Sequence, residues 1–256
     1  MMTLSYFVRS LSQERLKFKG TLVVWLALVA PVFVAVVAFM ASYLDGHNLY
    51  QKGINPWLDY SGHILIGWTL FVFPIYVSLL SALVHAIEHQ SNTWKTVYSL
   101  PMPKWSIYAA KLVLFTGLIV FSHLLLFGLA EAGGYLLGVL KPSYGFQLFS
   151  LHWVLAEGCF AGLLSGLGLC AIQFYIGLRF SSFIVPAGFG LMVTMAGAIS
   201  RSLPISRFSP YLWPVSFFNR SIQVNNWQYG YVYIGMLTFL IGAIAGFQMI
   251  SRRDVS

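Results

Sequence analysis

Six long apolar runs separated by short polar segments take up most of this chain: 22–44, 62–87, 107–140, 151–178, 183–200 and 230–250. A helix needs about 20 apolar residues to cross the hydrocarbon of a bilayer. Each run approaches or exceeds that length, and none alternates polar and apolar at every second residue as a barrel strand does. In lipid every backbone amide must find its partner within the structure, so such runs are read as helices. The expectation is an all-α membrane protein of about six transmembrane helices.

Charge content supports the same reading. Hydrophobic residues make up 58% of the chain and charged residues only 9%, whereas a soluble domain carries about 25% charged residues. So few charges cannot cover a surface in water, and the spaces between the runs leave no room for a soluble enzyme domain. The net charge of +8 would suggest a nucleic-acid partner in a soluble protein. Here the basic residues flank membrane helices, and no nucleic-acid partner is expected.

With an even number of crossings both termini share one side. That side holds Arg9, Arg15, Lys17, Lys19, Lys95, Lys104, Lys111, Arg179, Arg252 and Arg253, against Lys52, Lys141, Arg201, Arg207 and Arg220 on the other, ten to five. The positive-inside bias therefore places both termini in the cytoplasm.

The runs also carry marks of irregularity. The third and fourth are long enough to imply tilt. Pro31 and Pro74 are expected to bend the first and second, and Pro186, followed by Gly188 and Gly190, to kink or partly unwind the fifth. The outer segment 201–229 interleaves Pro204, Pro210 and Pro214 with Phe208, Tyr211, Trp213, Phe217 and Phe218. It reads either as a loop that dips back among the helices or as an ordinary aromatic belt.

Before the first run, Leu4, Phe7, Val8, Leu11 and Phe18 fall on one helical face, with Arg9, Gln13 and Lys17 opposite and Arg15 inside the apolar stripe. Residues 1–20 are thus expected to form an amphipathic helix along the cytoplasmic membrane surface. The run from Thr21 is longer than the ~7–15-residue core of a cleaved signal, so it should remain as an anchor.

Catalytic patterns are absent from the sequence. No Gly-Lys pair occurs, so no phosphate-binding loop is present, and there is no HExxH or GxSxG. Cys159 and Cys170 are eleven residues apart, about 16 Å along a helix, too far for a disulfide. His85 and His89 with Glu88 lack a clear third ligand and read as interfacial polar groups, and no metal is expected. Glu131 and Glu157 lie inside apolar runs on the same outer side. Membrane-embedded acids suggest a substrate route or proton-linked site; alternatively they sit hydrated at the interface, or paired with His152 or Lys141. An intramembrane enzyme would need Glu131 and Glu157 to converge with His123 or His152. Stripes of small residues at Gly158, Gly162 and Gly166, at Gly242 and Gly246, and at Ala130, Gly134 and Gly138 mark close helix packing, read first as contacts within one subunit and otherwise as a dimer seam.

The loop after the second run is longer than a connector needs. It reads Glu88, Trp94-Lys95, Tyr98-Ser99-Leu100-Pro101-Met102-Pro103-Lys104-Trp105 and Tyr108, ending at Lys111. Proline disfavours helix in the preceding residue, so a helix should stop near Ser99 and a new one begin around Lys104. The result is a stiff cytoplasmic elbow over 88–106 that presents Trp94, Tyr98, Met102 and Trp105.

These residues resemble the permease subunits of type-2 ABC exporters, and within them the lantibiotic-immunity and related bacteriocin-type permeases. The shared pattern is a Glu, a Trp-Lys, a Ser-Leu-Pro, a basic residue and a Tyr followed by Lys, here Glu88, Trp94-Lys95, Ser99-Leu100-Pro101, Lys104 and Tyr108…Lys111. The resemblance implies a multi-pass protein of the bacterial cytoplasmic (inner) membrane, working as a dimer with a second copy or a sister permease and with two separate ATPase subunits. Those partners would bind ATP and Mg, with no cofactor in this chain. Glu88, Trp94, Lys95, Tyr98, Leu100, Pro101, Pro103 and Lys104 would dock on the ATPase, and the amino-terminal helix would act as a connector. The implied substrate is hydrophobic or amphipathic, a peptide or antibiotic first and a lipid second. The rival readings are the intramembrane enzyme and a permease-like sensor or scaffold that moves nothing.

Overall fold

The computed structural model describes residues 2–50, 54–90, 103–149, 152–218 and 228–252. Among them there is no strand. The helices are α1 (Met2–Phe18), α2 (Leu22–Leu49), α3 (Pro56–Gly67), α4 (Phe73–Gln90), α5 (Lys104–Leu140), α6 (His152–Arg179), α7 (Ile184–Ser200), α8 (Trp213–Phe218) and α9 (Gln228–Ser251). Five helical stretches are long and apolar enough to cross a membrane: Leu22–His47, Pro56–Ile87, Lys104–Leu140, Leu155–Arg179 and Tyr229–Ser251. The fifth apolar run becomes α7, which at 17 residues is about 26 Å long and shorter than a full span. The chain is an all-α membrane protein.

Local chemistry explains where the helices start and break. The second span begins at Pro56, earlier than the apolar run. Asn55 caps it by accepting a 3.0 Å bond from the Trp57 amide, and Pro56 fills the first turn where no amide is needed. Between α3 and α4 the helix widens into one π-turn, Trp68–Val72. Pro74 follows it directly, and its ring would clash with the carbonyl four residues back, at Leu70 inside that turn. The expected bend at Pro74 is therefore met by a π-turn.

Pro31 lies inside α2, whose non-helical backbone is at Asp45 (φ −123°, ψ 16°). One other expectation is corrected. Pro186 does not kink or unwind α7, because it is the third residue of that helix. There its missing amide would have had no intrahelical partner anyway.

Of the glycines expected to permit close packing, Gly134, Gly138, Gly166, Gly242 and Gly246 do so, chiefly by admitting aromatic rings. A side chain at Gly134 would overlap the Trp57 ring, and one at Gly166 the Phe73 ring. Gly242 faces Ala171, where a Cβ would come within 2.7 Å. Trp57 in turn donates through its indole to the Phe146 carbonyl at 3.1 Å and meets the Phe146 ring edge-on at 5.4 Å. The most enclosed helices are α3–α4 and α6, while the exposed side chains of α2, α5 and α9 are mostly apolar. That is the arrangement lipid requires, since an apolar surface costs nothing there.

Within the segment 201–218, Tyr211, Leu212, Trp213 and Val215 are buried. The Trp213 ring fills the space beside Gly168, and Leu212 packs against Gly197. Gln173 of α6 donates to the Tyr211 hydroxyl at 2.5 Å. Burial pushes the Tyr211 phenol above its ordinary value, with the Gln173 bond opposing.

Candidate functional site

The first turns of α5 carry the last part of the exporter-like pattern, Lys104, Tyr108 and Lys111, and each has an anchor. Pro103 is extended (φ −66°, ψ 135°) and α5 begins at Lys104. The Lys104 ammonium reaches the Ser251 carbonyl at the end of α9 at 3.5 Å. Tyr108 donates to the Ala243 carbonyl at 2.8 Å, and its hydroxyl lies where a side chain at Gly246 would stand, 2.6 Å from that Cβ. Lys111 is buried and pairs with Glu14 of α1 at 2.9 Å. Glu14 also pairs with Lys17 at 2.5 Å. One turn earlier the Ser10 and Ser106 hydroxyls meet at 3.0 Å.

The start of α5 thus joins α1 on one side to α9 on the other. Gly20, with φ +76°, turns the chain from α1 into α2. The buried face of α1 is Ser10, Glu14 and Phe18, on one flank of the expected apolar stripe. Leu4 and Val8, on the other flank, are 69% and 52% exposed. α1 therefore binds its own protein through polar groups and leaves apolar residues outward. The Glu14 contact was not expected from the sequence. A signal existed: Glu14 is the single acid in the first 44 residues, set among four basic ones before Gly20.

Trp94, Lys95, Tyr98, Leu100 and Pro101 of the elbow lie outside the described residues, as does the expected helix stop near Ser99. Glu88 lies in α4, whose described backbone continues to Gln90; its side chain and that of His89 are outside the described set.

Glu131 and Glu157 are not brought together. Glu157 of α6 accepts a 2.7 Å bond from the Tyr229 hydroxyl of α9. Glu131 of α5 lies within electrostatic reach of Tyr60 and Cys159. Residues 157 and 159 are about 200° apart around α6, so the two acids address opposite faces of that helix. His123 is buried elsewhere, its Nε2 accepting from the Trp68 indole at 3.1 Å and its Nδ1 donating to the Ile119 carbonyl at 2.9 Å. Among the described residues, the convergence of Glu131 and Glu157 with His123 that an intramembrane enzyme would need is not present; the side chain of His152 lies outside them. His85 donates through Nδ1 to the Ser81 carbonyl at 2.8 Å and packs on Phe174. Among the described residues no group of three or more His, Cys, Asp or Glu could hold a metal. Cys159 and Cys170 are both buried and free.

The family model for the ABC-2 family transporter protein matches residues 10–197, 188 of the 256 in the chain. The chain belongs to the ABC-2 transporter family. The matched stretch includes Glu14, the elbow and the Lys104–Lys111 turns. The ABC-2 chain is accordingly a multi-pass transporter permease subunit, of a family whose membrane subunits are non-catalytic and work with an ATPase. No curated protein and no solved structure matches the chain.

Proposed function

We propose that this ABC-2 chain is the permease of an ATP-driven exporter and is energised by separate ATPase subunits that dock on residues 88–106. Both termini lie in the cytoplasm, as the ten-to-five distribution of Lys and Arg favours. Two permeases, this chain with a second copy or with a sister, pair with two ATPases that bind ATP and Mg. The cargo is a hydrophobic or amphipathic molecule taken from the cytoplasmic membrane, a peptide or antibiotic in the first instance and a lipid in the second.

The observation that carries this reading is the anchored base of α5. A connector between helices needs no such base. Here the residues just after the loop are tied to α1 by a buried ion pair and to α9 by Tyr108. Force applied to the loop would pass into three helices together, which is what a docking site for a motor subunit requires. Trp94, Tyr98 and Leu100 supply apolar surface for a groove on the ATPase, and Glu88, Lys95 and Lys104 its polar rim.

The test is co-purification with ABC ATPase subunits from the membranes that hold this permease. Trp94→Ala, Tyr98→Ala and Leu100→Asp should each release the ATPase while the permease still inserts in the membrane. Undiminished co-purification of all three would overturn the docking assignment.

A further inference from the structure

The turn from α1 into α2 shelters a groove of about 590 Å³, within the size range of ligand sites. Its apolar lining is Phe18 of α1, Val24 of α2, and Leu114 and Leu118 of α5. Its charged lining is Arg15 and Lys19, both exposed. Those two are four residues apart on α1, about 40° around the helix, so both stand on one edge. Among the described residues no acid lines the groove.

The other cations of this joint are balanced and these two are not. Glu14, the acid nearest in the chain, is engaged by Lys17 at 2.5 Å and by Lys111 at 2.9 Å. It is buried, about 100° around α1 from Arg15. Neither Arg15 nor Lys19 has a side-chain partner among the described residues. Depth gives a second observation. Val24 is the third residue of α2, and Trp25 beside it is 62% exposed. Exposed tryptophan belongs at the level of lipid head groups. Gly20 makes the bend with φ +76°, and a Cβ there would meet nothing within 4 Å.

Charge and lining together select the occupant. A free anion would leave the apolar lining unused, and a plain hydrocarbon would leave two cations without a counter-charge. An amphiphile with a phosphate head meets both needs, and basic pockets between membrane helices recognise such heads. We propose that this groove binds an anionic phospholipid, its phosphate at Arg15 and Lys19 and an acyl chain over Val24, Leu114 and Leu118. Arg15, out of place in the apolar stripe of α1, thereby gains a partner. The lipid holds one side of α1 while the Glu14–Lys111 pair holds the other, so membrane charge sets how firmly α1 sits on α2 and α5. The site needs no exporter reading; the orientation proposed above puts it in the cytoplasmic leaflet.

The test uses the full chain in nanodiscs with two photoreactive lipids of identical acyl chains, phosphatidylglycerol and phosphatidylcholine, the reactive group on the chain near the glycerol. Labelled residues are located by mass spectrometry. Phosphatidylglycerol should label Val24, Leu114 and Leu118 about five- to thirtyfold more than phosphatidylcholine, the range for one to two basic residues at a membrane surface. Arg15→Gln with Lys19→Gln should bring that ratio close to one. Both residues are exposed and outside the Glu14 pairs, so this double variant should keep the native thermal midpoint in lipid-free detergent. Arg9→Gln, which removes an exposed cation of α1 outside the groove, should leave the ratio unchanged. Equal labelling by the two lipids in the native chain would overturn the proposal, whatever the variants do. So would a ratio that survives the double variant, or one that falls as far in Arg9→Gln, since the attraction would then belong to the whole basic surface. A copy-to-copy crosslink through Val24 or Leu118 in place of lipid labelling would overturn it in favour of a second permease.

Discussion

The two ends of α5 are held by different physics. At its start, Lys104–Lys111 is secured by charge and hydrogen bonds: Lys111 to Glu14, Ser106 to Ser10, and Tyr108 to the Ala243 carbonyl. At its far end, around Gly133 and Gly134, it is secured by shape, with Tyr60 and Trp57 set against positions that have no side chain. A buried charge pair is intolerant of losing one member, because the survivor is left desolvated. A ring against glycine is intolerant of added volume. The contrast suits their places. The proposed motor side needs a joint that keeps its geometry under load, and the far side needs only a close fit.

The largest expected effect tests the charged end. Glu14→Ala or Lys111→Met alone should destabilise the protein by about 3–5 kcal/mol, as for other broken buried pairs. Replacing both with apolar residues should return much of that stability, read as thermal unfolding in detergent micelles. A double variant as unstable as the two single losses added together would mean that the charges act independently. Even when stable, the double variant should couple ATPase turnover to transport poorly, which separates joint geometry from folding.

At the shape-held end, Gly134→Leu should cost about 1–3 kcal/mol by overpacking against Trp57, even though leucine favours helix more than glycine. Pairing it with Trp57→Ala should be less than additive, because the smaller ring site admits the new side chain. Full additivity would show that the two residues do not share the space. The smallest effect is expected from Ser10→Ala, about 1 kcal/mol for one hydroxyl contact. Its thermal midpoint should fall much less than that of Glu14→Ala. An equal fall would shift the weight of the α1 joint from the ion pair to the serines.

The helices were legible in the residues because each apolar run is long enough to decide its own state in lipid. The start of α5 at Lys104, just after Pro103, was read from the residues. The start of α3 was missed, because the Asn55-Pro56 cap opens it six residues before the apolar run that marked the crossing. The effect of Pro186 was misjudged for a related reason. Proline removes one amide bond, and whether that bends a helix depends on position. Pro186 lies in a first turn and costs nothing, while Pro74 is met by a π-turn. The pairing of Glu14 with Lys111 spans 97 residues, and no local pattern contains it. The separation of Glu131 from Glu157 was equally hidden, since their common depth follows from the runs but their facing depends on how α6 is rotated.

By itself the sequence determined that this chain lives in a bilayer, that it crosses by helices, and that its distinctive segment joins the second and third crossings. Those are consequences of hydrophobicity summed over long runs, a quantity that needs no neighbours. Only the tertiary structure decided that Lys111 is half of a buried pair rather than one more basic flank. It also set the two membrane acids on opposite faces of α6, and left Gly67 beside open space while Gly134 holds a ring. Each of those depends on the rotation of one helix against another, which is set by packing among residues far apart in the chain.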